Sequence, residues 1–219
     1  MPLTYAIGDI HGSLDKLRSL LAACQQHADG RELQFVFLGD YIDRGPDSAG
    51  VVRLMMSLQL ELQERLIALK GNHEAWALGL LDGTAQVMTW LNNGGGETLA
   101  SYGAKGIGDL PRVHLDWMRS LRLSYDDGRR FFVHAGVDPD RPLDAQDDSV
   151  LLWIREPFLT DDRDYGRLIV HGHTPLGGGM PELRSNRLNI DTGAVFGGPL
   201  TAAVFDDSQT HPLAYLQAR

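Results

Sequence analysis

Gln34-Phe35-Val36-Phe37-Leu38 runs into Gly39-Asp40-Tyr41-Ile42-Asp43-Arg44-Gly45, and Val51, Val52, Leu54, Met55 and Leu58 then recur at helical spacing. The first run is bulky, apolar and too short for a helix, as a strand buried on both faces should be. Glycines and acids form the turn, and the residues beyond it line one face of a helix. The same succession precedes this stretch. Leu3 to Ile7 leads into Gly8-Asp9-Ile10-His11-Gly12, and Ser13 is placed to cap a helix bearing Leu14, Leu17, Leu20 and Leu21. It also follows, with Arg65 to Leu69, Gly71-Asn72-His73-Glu74 and then Ala75 to Leu81. Strands alternating with helices imply β-α-β units and a buried, largely parallel sheet in the N-terminal half. Ligands of such sheets collect outside the strands' carboxyl ends, where all three turns lie, so the turns should converge on one rim.

Outward from these units the pattern changes. Ala75 to Met118 has helical spacing broken by Asn92-Asn93-Gly94-Gly95-Gly96 and reads as a helical insertion at about 75–121 within a single domain over 1–219. From Leu123 strands return: Leu123 to Tyr125, an Asp126-Asp127-Gly128 turn and Arg130 to Val133, then Leu168 to Val170, Arg187 to Ile190 and Leu200 to Phe205. Their tight Asp/Gly turns predict antiparallel pairing. The fold class is α/β with α+β character. Neither Gly94–Gly96 nor Gly177–Gly179 links a strand to a helix with Gly-Lys-Ser/Thr behind it, so neither is a phosphate loop of that type.

Composition excludes several function classes. The 219 residues carry 20 Lys and Arg against 29 Asp and Glu, a net charge of −9 that repels a phosphate backbone and an anionic membrane surface alike. Nucleic-acid and membrane partners are therefore poor readings. Cys24 is the only cysteine, which rules out an intrachain disulfide and a cysteine-based zinc site. Met1 to Gly12 lacks a basic region followed by an apolar run, and no stretch nears the roughly 18 apolar residues of a membrane span. A cytoplasmic location is the expectation.

Five turns, each after an apolar run, hold the metal-capable side chains: Gly8–Gly12, Gly39–Gly45, Gly71–Glu74, His134-Ala135-Gly136 and His171-Gly172-His173-Thr174. Five of the eight histidines lie in them. One Gly-Asp pair alone is an ordinary turn. The fixed positions of Gly39-Asp40-x-x-Asp43-Arg44-Gly45, in contrast, arise by chance in such a chain on the order of once in 10⁴. Asp9, His11, Asp40, Asn72, His134 and His173 together supply the carboxylate, imidazole and carbonyl oxygen donors that two adjacent divalent cations require.

The ordered set resembles the phosphoprotein phosphatase family of metallophosphoesterases, in particular its short bacterial and phage-type Ser/Thr phosphatases. That resemblance implies a β-sandwich flanked by helices with a dinuclear metal centre at the strand ends. It implies Asp9 and His11 on one metal, Asp40 bridging, and Asn72, His134 and His173 on the other. His73 then resembles the general acid with Asp43 orienting it, and Arg44, Arg155 and Asn72 face the substrate phosphate. Arg155, in Leu151–Glu156, rests on a weaker pattern and reads alternatively as half of a surface ion pair. The implied reaction is hydrolysis of phosphoserine and phosphothreonine in proteins by direct attack of a metal-bridging hydroxide. Dinucleoside tetraphosphate or other nucleotide hydrolysis is the alternative, and a non-catalytic phosphoprotein-binding module a third reading. The donor set suits Mn²⁺ first, with iron or Zn²⁺ as alternatives.

Pro175 stands where related enzymes place a second metal-binding histidine, so His171 reads as packing or support rather than as a ligand. Asp191, in Ile190-Asp191-Thr192-Gly193, reads as an acceptor behind the site, to His173 or a water, or as a plain turn. The acidic runs at 144–148 and 161–164 read as solvated faces that would favour basic peptides if they bordered the site.

Overall fold

The three apolar runs that precede the motif turns of the N-terminal half each fold as a strand. The computed structural model describes residues 2–219. In chain order, β1 (Leu3–Ile7), α1 (Leu14–Ala28), β2 (Leu33–Phe37), α2 (Ser48–Leu62) and β3 (Leu66–Ala68) make two β-α-β units with β1, β2 and β3 parallel. Helices α3 (Asn72–Leu81), α4 (Val87–Trp90), α5 (Gly96–Tyr102) and α6 (Arg112–Ser120) occupy the chain before the next strand. There follow β4 (Ser124–Asp126), β5 (Arg130–Val133), α7 (Asp148–Trp153), β6 (Leu168–His171), β7 (Glu182–Leu183), β8 (Arg187–Asn189), β9 (Leu200–Phe205) and β10 (Ala214–Ala218). Among the described residues no helix is long and apolar enough to cross a membrane.

These strands form two five-stranded mixed sheets, ordered β10-β9-β1-β2-β3 and β4-β5-β6-β8-β7. One expectation is corrected. β5, β6 and β8 run parallel, whereas only β4 with β5, β7 with β8, and β9 with β1 and β10 pair antiparallel. The chain between β5 and β6 is not a hairpin but a long crossover that carries α7, and such a connection returns a strand in the same direction. The two-residue β7 carries no apolar run, and β10, not among the strands read from the sequence, completes the edge of the first sheet beside β9.

The sheets pack face to face, with Ala6, Val36, Leu38, Ile67 and Ala203 of the first meeting Phe132, Val170, Leu188 and Ile190 of the second. The other face of the first sheet, through Leu3, Tyr5, Ile7, Phe35 and Phe37, packs on the helices. Both faces of β1 are thus buried, which is why it shows no polar alternation. A one-residue slip of β1 would exchange Tyr5 and Ile7 with Thr4 and Ala6. Both faces being buried, the slip would crowd Tyr5 and Ile7 into the space between the sheets that fits Ala6, and such overpacking costs about 1–3 kcal/mol, so the register is firmly set. This register also places the carboxyl ends of β1, β2, β3, β5, β6 and β8 along one edge of the sandwich, where the motif turns emerge.

Candidate metal centre

Each motif turn leaves a strand that is fixed by its neighbours, and the turns are then tied to one another. The backbone N–H groups of Ile10 and His11 donate to Asp40 O (3.0 and 2.8 Å), and Gly172 N–H donates to His134 O (2.8 Å). Gly71 passes so close to Asp40 that a Cβ there would lie 2.1 Å from Asp40 Oδ1, so any larger residue would displace the carboxylate.

His11, Asp40, Asp43, Arg44 and His173 all adopt left-handed backbone with φ between 45° and 72°. For non-glycine residues this costs on the order of 1–3 kcal/mol each, and it persists only where surrounding contacts over-determine it. Here each of the five N–H groups is held from elsewhere. His11 N donates to Asp40 O, Asp40 N to Glu74 Oε2, Asp43 N to Thr98 Oγ1 (2.8 Å) and Ser48 Oγ, Arg44 N to Gly94 O, and His173 N to the Asp9 carboxylate.

Two clusters of donor atoms result, each within 4.8 Å: His11, Asp40 and His73, and Asp40, His134 and His173. Asp40 belongs to both, with Oδ2 3.3 Å from His11 Nε2 and Oδ1 3.5 Å from His134 Nε2. Asn72 Oδ1 completes the second cluster, 2.8 Å from His134 Nε2 and 2.9 Å from His173 Nδ1. Asp9 is in neither tight group. Its buried carboxylate accepts from His173 N, and burial, then Asp191 and Asp40, hold its pKa well above the usual carboxylate range.

The residues fit divalent cations on proton bookkeeping. His134 Nδ1 is 2.9 Å from Leu38 O and His11 Nδ1 is 2.8 Å from Ile42 O, so each ring carries its proton there and turns its Nε2 lone pair inward, where that of His11 accepts from Arg44 Nη1 at 2.7 Å. Burial keeps both rings neutral, pushing His11 down to about 3 and His134 downward. His134 Nε2 therefore faces the lone pairs of Asn72 Oδ1 at hydrogen-bond distance with no proton between them, which a cation would relieve. His173 faces Asn72 Oδ1 through Nδ1, and its Nε2, buried with no partner among the described residues, is the nitrogen that can carry the ring's proton and leave Nδ1 as a lone pair toward the cluster. Asp40 ionises more readily than usual: burial opposes ionisation, but the surrounding histidines, of which His73 is the one that keeps its proton, and the His73 N–H donated to Oδ1 (3.0 Å) outweigh it.

His73 stands apart in chemistry. Its Nδ1 lies 2.7 Å from Asp43 Oδ2, leaving Nε2 as its free nitrogen. Burial would lower its proton affinity, but the carboxylates of Asp40 and Asp43 and the Asp43 hydrogen bond raise it overall. Asp43 is itself fixed by Trp90 Nε1–H to Oδ2 (2.8 Å) and Thr98 Oγ1–H to Oδ1 (2.6 Å). Both anchors come from the helical segment between β3 and β4, and nothing local in the sequence marks them.

In the sequence Glu74 reads only as part of a turn. Its buried carboxylate accepts from the N–H groups of Asp40, Tyr41, Ile42 and Gly71 at 2.8–3.2 Å, moulding the second turn around the third.

A cavity of about 340 Å³ opens over these groups. Asp40, Asn72, His73 and His173 line its buried floor, Arg44 and Arg155 its sides, and Trp76, Trp153 and Phe196 its mouth. Arg155 makes no ion pair among the described residues, so the surface-pair alternative is not what forms. His171 turns away from both clusters, packing on Phe158 at 5.0 Å with Nε2 toward Arg187. Asp191 Oδ1 accepts from Gly193 N rather than from His173. Neither acidic run contributes to the cavity lining.

The family model for calcineurin-like phosphoesterases matches residues 3–200. The chain belongs to that family. It is therefore a phosphoesterase, a hydrolase that works with divalent metal ions, and the mixed sandwich is the family's fold. Among similar proteins, bis(5'-nucleosyl)-tetraphosphatase PrpE [asymmetrical] of Anoxybacillus flavithermus is 30% identical, covering 93% of this chain and 91% of that one. Serine/threonine-protein phosphatase 1 of Salmonella typhimurium is 32% identical, covering 91% and 90%. A solved structure provisionally described as a diadenosine tetraphosphatase superposes with a TM-score of 0.73 at 22% identity, over 99% of this chain and 94% of that one.

Proposed function

We propose that this phosphoesterase hydrolyses phosphoserine and phosphothreonine monoesters in cytoplasmic proteins, using two divalent cations, with Mn²⁺ the best match to the donor set. The observation that carries the reading is the shared Asp40, one oxygen toward each donor cluster, beside a histidine whose Nδ1 is tied to a buried aspartate. Asp9, His11 and Asp40 would hold one cation, and Asp40, Asn72, His134 and His173 the other. Bound together, the cations would supply Lewis acidity toward phosphoryl oxygens and lower the pKa of a water toward neutrality. Asn72 contributes a neutral oxygen, which limits the negative charge that an incoming phosphate must meet. Arg44 and Arg155 bind phosphate oxygens by forked, charge-assisted hydrogen bonds, and Asn72 shares that face. His73, oriented by Asp43, gives its Nε2 proton to the departing alkoxide. Similarity to a serine/threonine-protein phosphatase over most of both chains supports the protein substrate.

The three aromatic rings at the cavity mouth favour a second reading, a dinucleoside tetraphosphate whose bases would stack on them, in line with the similarity to PrpE. Initial rates on phosphopeptides, p-nitrophenyl phosphate and diadenosine tetraphosphate, measured side by side with Mn²⁺, separate the two. The proposal expects kcat/KM for a phosphopeptide to exceed that for the dinucleotide by at least about tenfold, roughly 1.4 kcal/mol of transition-state preference. The reverse order would establish the second reading, and no hydrolysis of any substrate would overturn both.

A further inference from the structure

The loop after β8 reaches the cavity from a direction that the motif turns do not explain. Gly193 N–H donates to Asp191 Oδ1, and the N–H groups of Phe196 and Gly198 both return to Gly193 O at 2.9 Å, closing residues 193–198 into a small ring of backbone. Gly193 and Gly197 take φ of 72° and 89° at its two corners. Lys16, half-buried on α1, crosses this ring: its ammonium donates to Ala194 O at 2.9 Å and to Gly198 O at 2.6 Å. Between the two pinned carbonyls stands Phe196, 63% exposed, and Arg44 Cζ lies over its ring at 5.5 Å from the centroid. An exposed phenylalanine gains little from burial, so contact with the guanidinium is the interaction its position provides. Arg44 is held elsewhere at its backbone N–H by Gly94 O and at Nη1 by His11 Nε2 (2.7 Å), and the Phe196 ring supports the face of the guanidinium that neither reaches.

We propose that Lys16 and Phe196 are positioning residues for phosphate binding: Lys16 staples the 193–198 loop so that the Phe196 ring holds the Arg44 guanidinium at the cavity. This inference rests on the reading of Arg44 as a phosphate-binding residue. The chain of dependence runs from α1, which begins three residues after His11, through the loop to the arginine, so one helix sets both a candidate metal ligand and the anion clamp.

The test uses the Mn²⁺-loaded full chain, with competitive inhibition by inorganic phosphate and KM and kcat for p-nitrophenyl phosphate as readouts. Phe196→Leu keeps the apolar bulk but removes the ring, and should raise the phosphate inhibition constant and KM about threefold to tenfold with kcat changed less than about twofold. Phe196→Tyr keeps the ring and should stay near the parent protein. Lys16→Met should reproduce Phe196→Leu, and the double variant should be no worse than either single one, because both act through the same contact. Arg44→Ala separates the two levels of the reasoning. If it raises the inhibition constant while Phe196→Leu does not, or if the Lys16 and Phe196 effects multiply, the positioning inference is wrong and the clamp survives. If Arg44→Ala leaves the constant unchanged, the clamp reading falls and this inference with it.

Discussion

Glu74→Gln probes how the metal-binding turn is held. In the parent protein Oε1 accepts from Tyr41 N (2.8 Å) and Ile42 N (3.2 Å), and Oε2 from Asp40 N (3.0 Å) and Gly71 N (2.9 Å), in a fully buried setting. The amide replaces one oxygen by NH₂, so two backbone donors lose their acceptor and face another donor instead. A hydrogen bond to a charged acceptor contributes about 1.5–3 kcal/mol, so two losses amount to at least about 3 kcal/mol. The neutral amide recovers part of the cost of burying a charge, since burial and Asp40 push the Glu74 pKa up to about 7, and the lower bound is therefore the appropriate figure. For a chain of this size about 1 kcal/mol moves Tm by about 2–4 °C, which puts the expected fall at about 6–12 °C. Thermal unfolding followed by circular dichroism in EDTA measures it, with both proteins metal-free so that ligand linkage does not enter. Glu74→Ala, which strands all four donors, should fall at least as far. A Tm within about 2 °C of the parent for both variants would refute the reasoning, because the Asp40 turn would then be holding its shape without Glu74.

His73→Asn should leave metal content unchanged by elemental analysis while lowering turnover of alkyl phosphates by about 10²–10⁴-fold, with a smaller loss for p-nitrophenyl phosphate, whose leaving group needs no proton. Equal slowing of both substrates would show that His73 is not the acid. Thr98→Val removes the hydroxyl that donates to Asp43 Oδ1 and accepts from Asp43 N, at nearly constant volume. It should cost about 1–3 kcal/mol in denaturant unfolding and selectively slow alkyl over aryl substrates; an unchanged alkyl-to-aryl ratio would mean that Asp43 keeps its aim without Thr98.

Much of this site was legible along the chain because its parts are short-range. Asp9 and His11 follow β1 directly, Asp40 follows β2, Asn72 and His73 open α3, and His134 and His173 follow β5 and β6, so each motif is one strand end and the turn after it. Strand direction in the second half was less legible. The Asp/Gly turns near Asp126 and Gly128 do make the β4–β5 hairpin, but comparable turns later in the chain close loops within a crossover, and turn chemistry alone cannot distinguish the two.

What the sequence by itself determined is the inventory: which side chains can bind a cation, carry a proton or grip a phosphate, and that they sit at strand ends. The tertiary structure decided what holds them. Trp90 and Thr98 reach Asp43 across 47 and 55 residues, Glu74 reaches Tyr41 across 33, and Lys16 reaches Ala194 across 178. Such contacts leave no periodic trace, because they arise only after the two sheets and the intervening helices have closed. The same closure sets the acceptor atoms of Asp40, Asn72, His134 and His173 against one another beneath the cavity, and that turns a list of turn residues into a candidate metal centre.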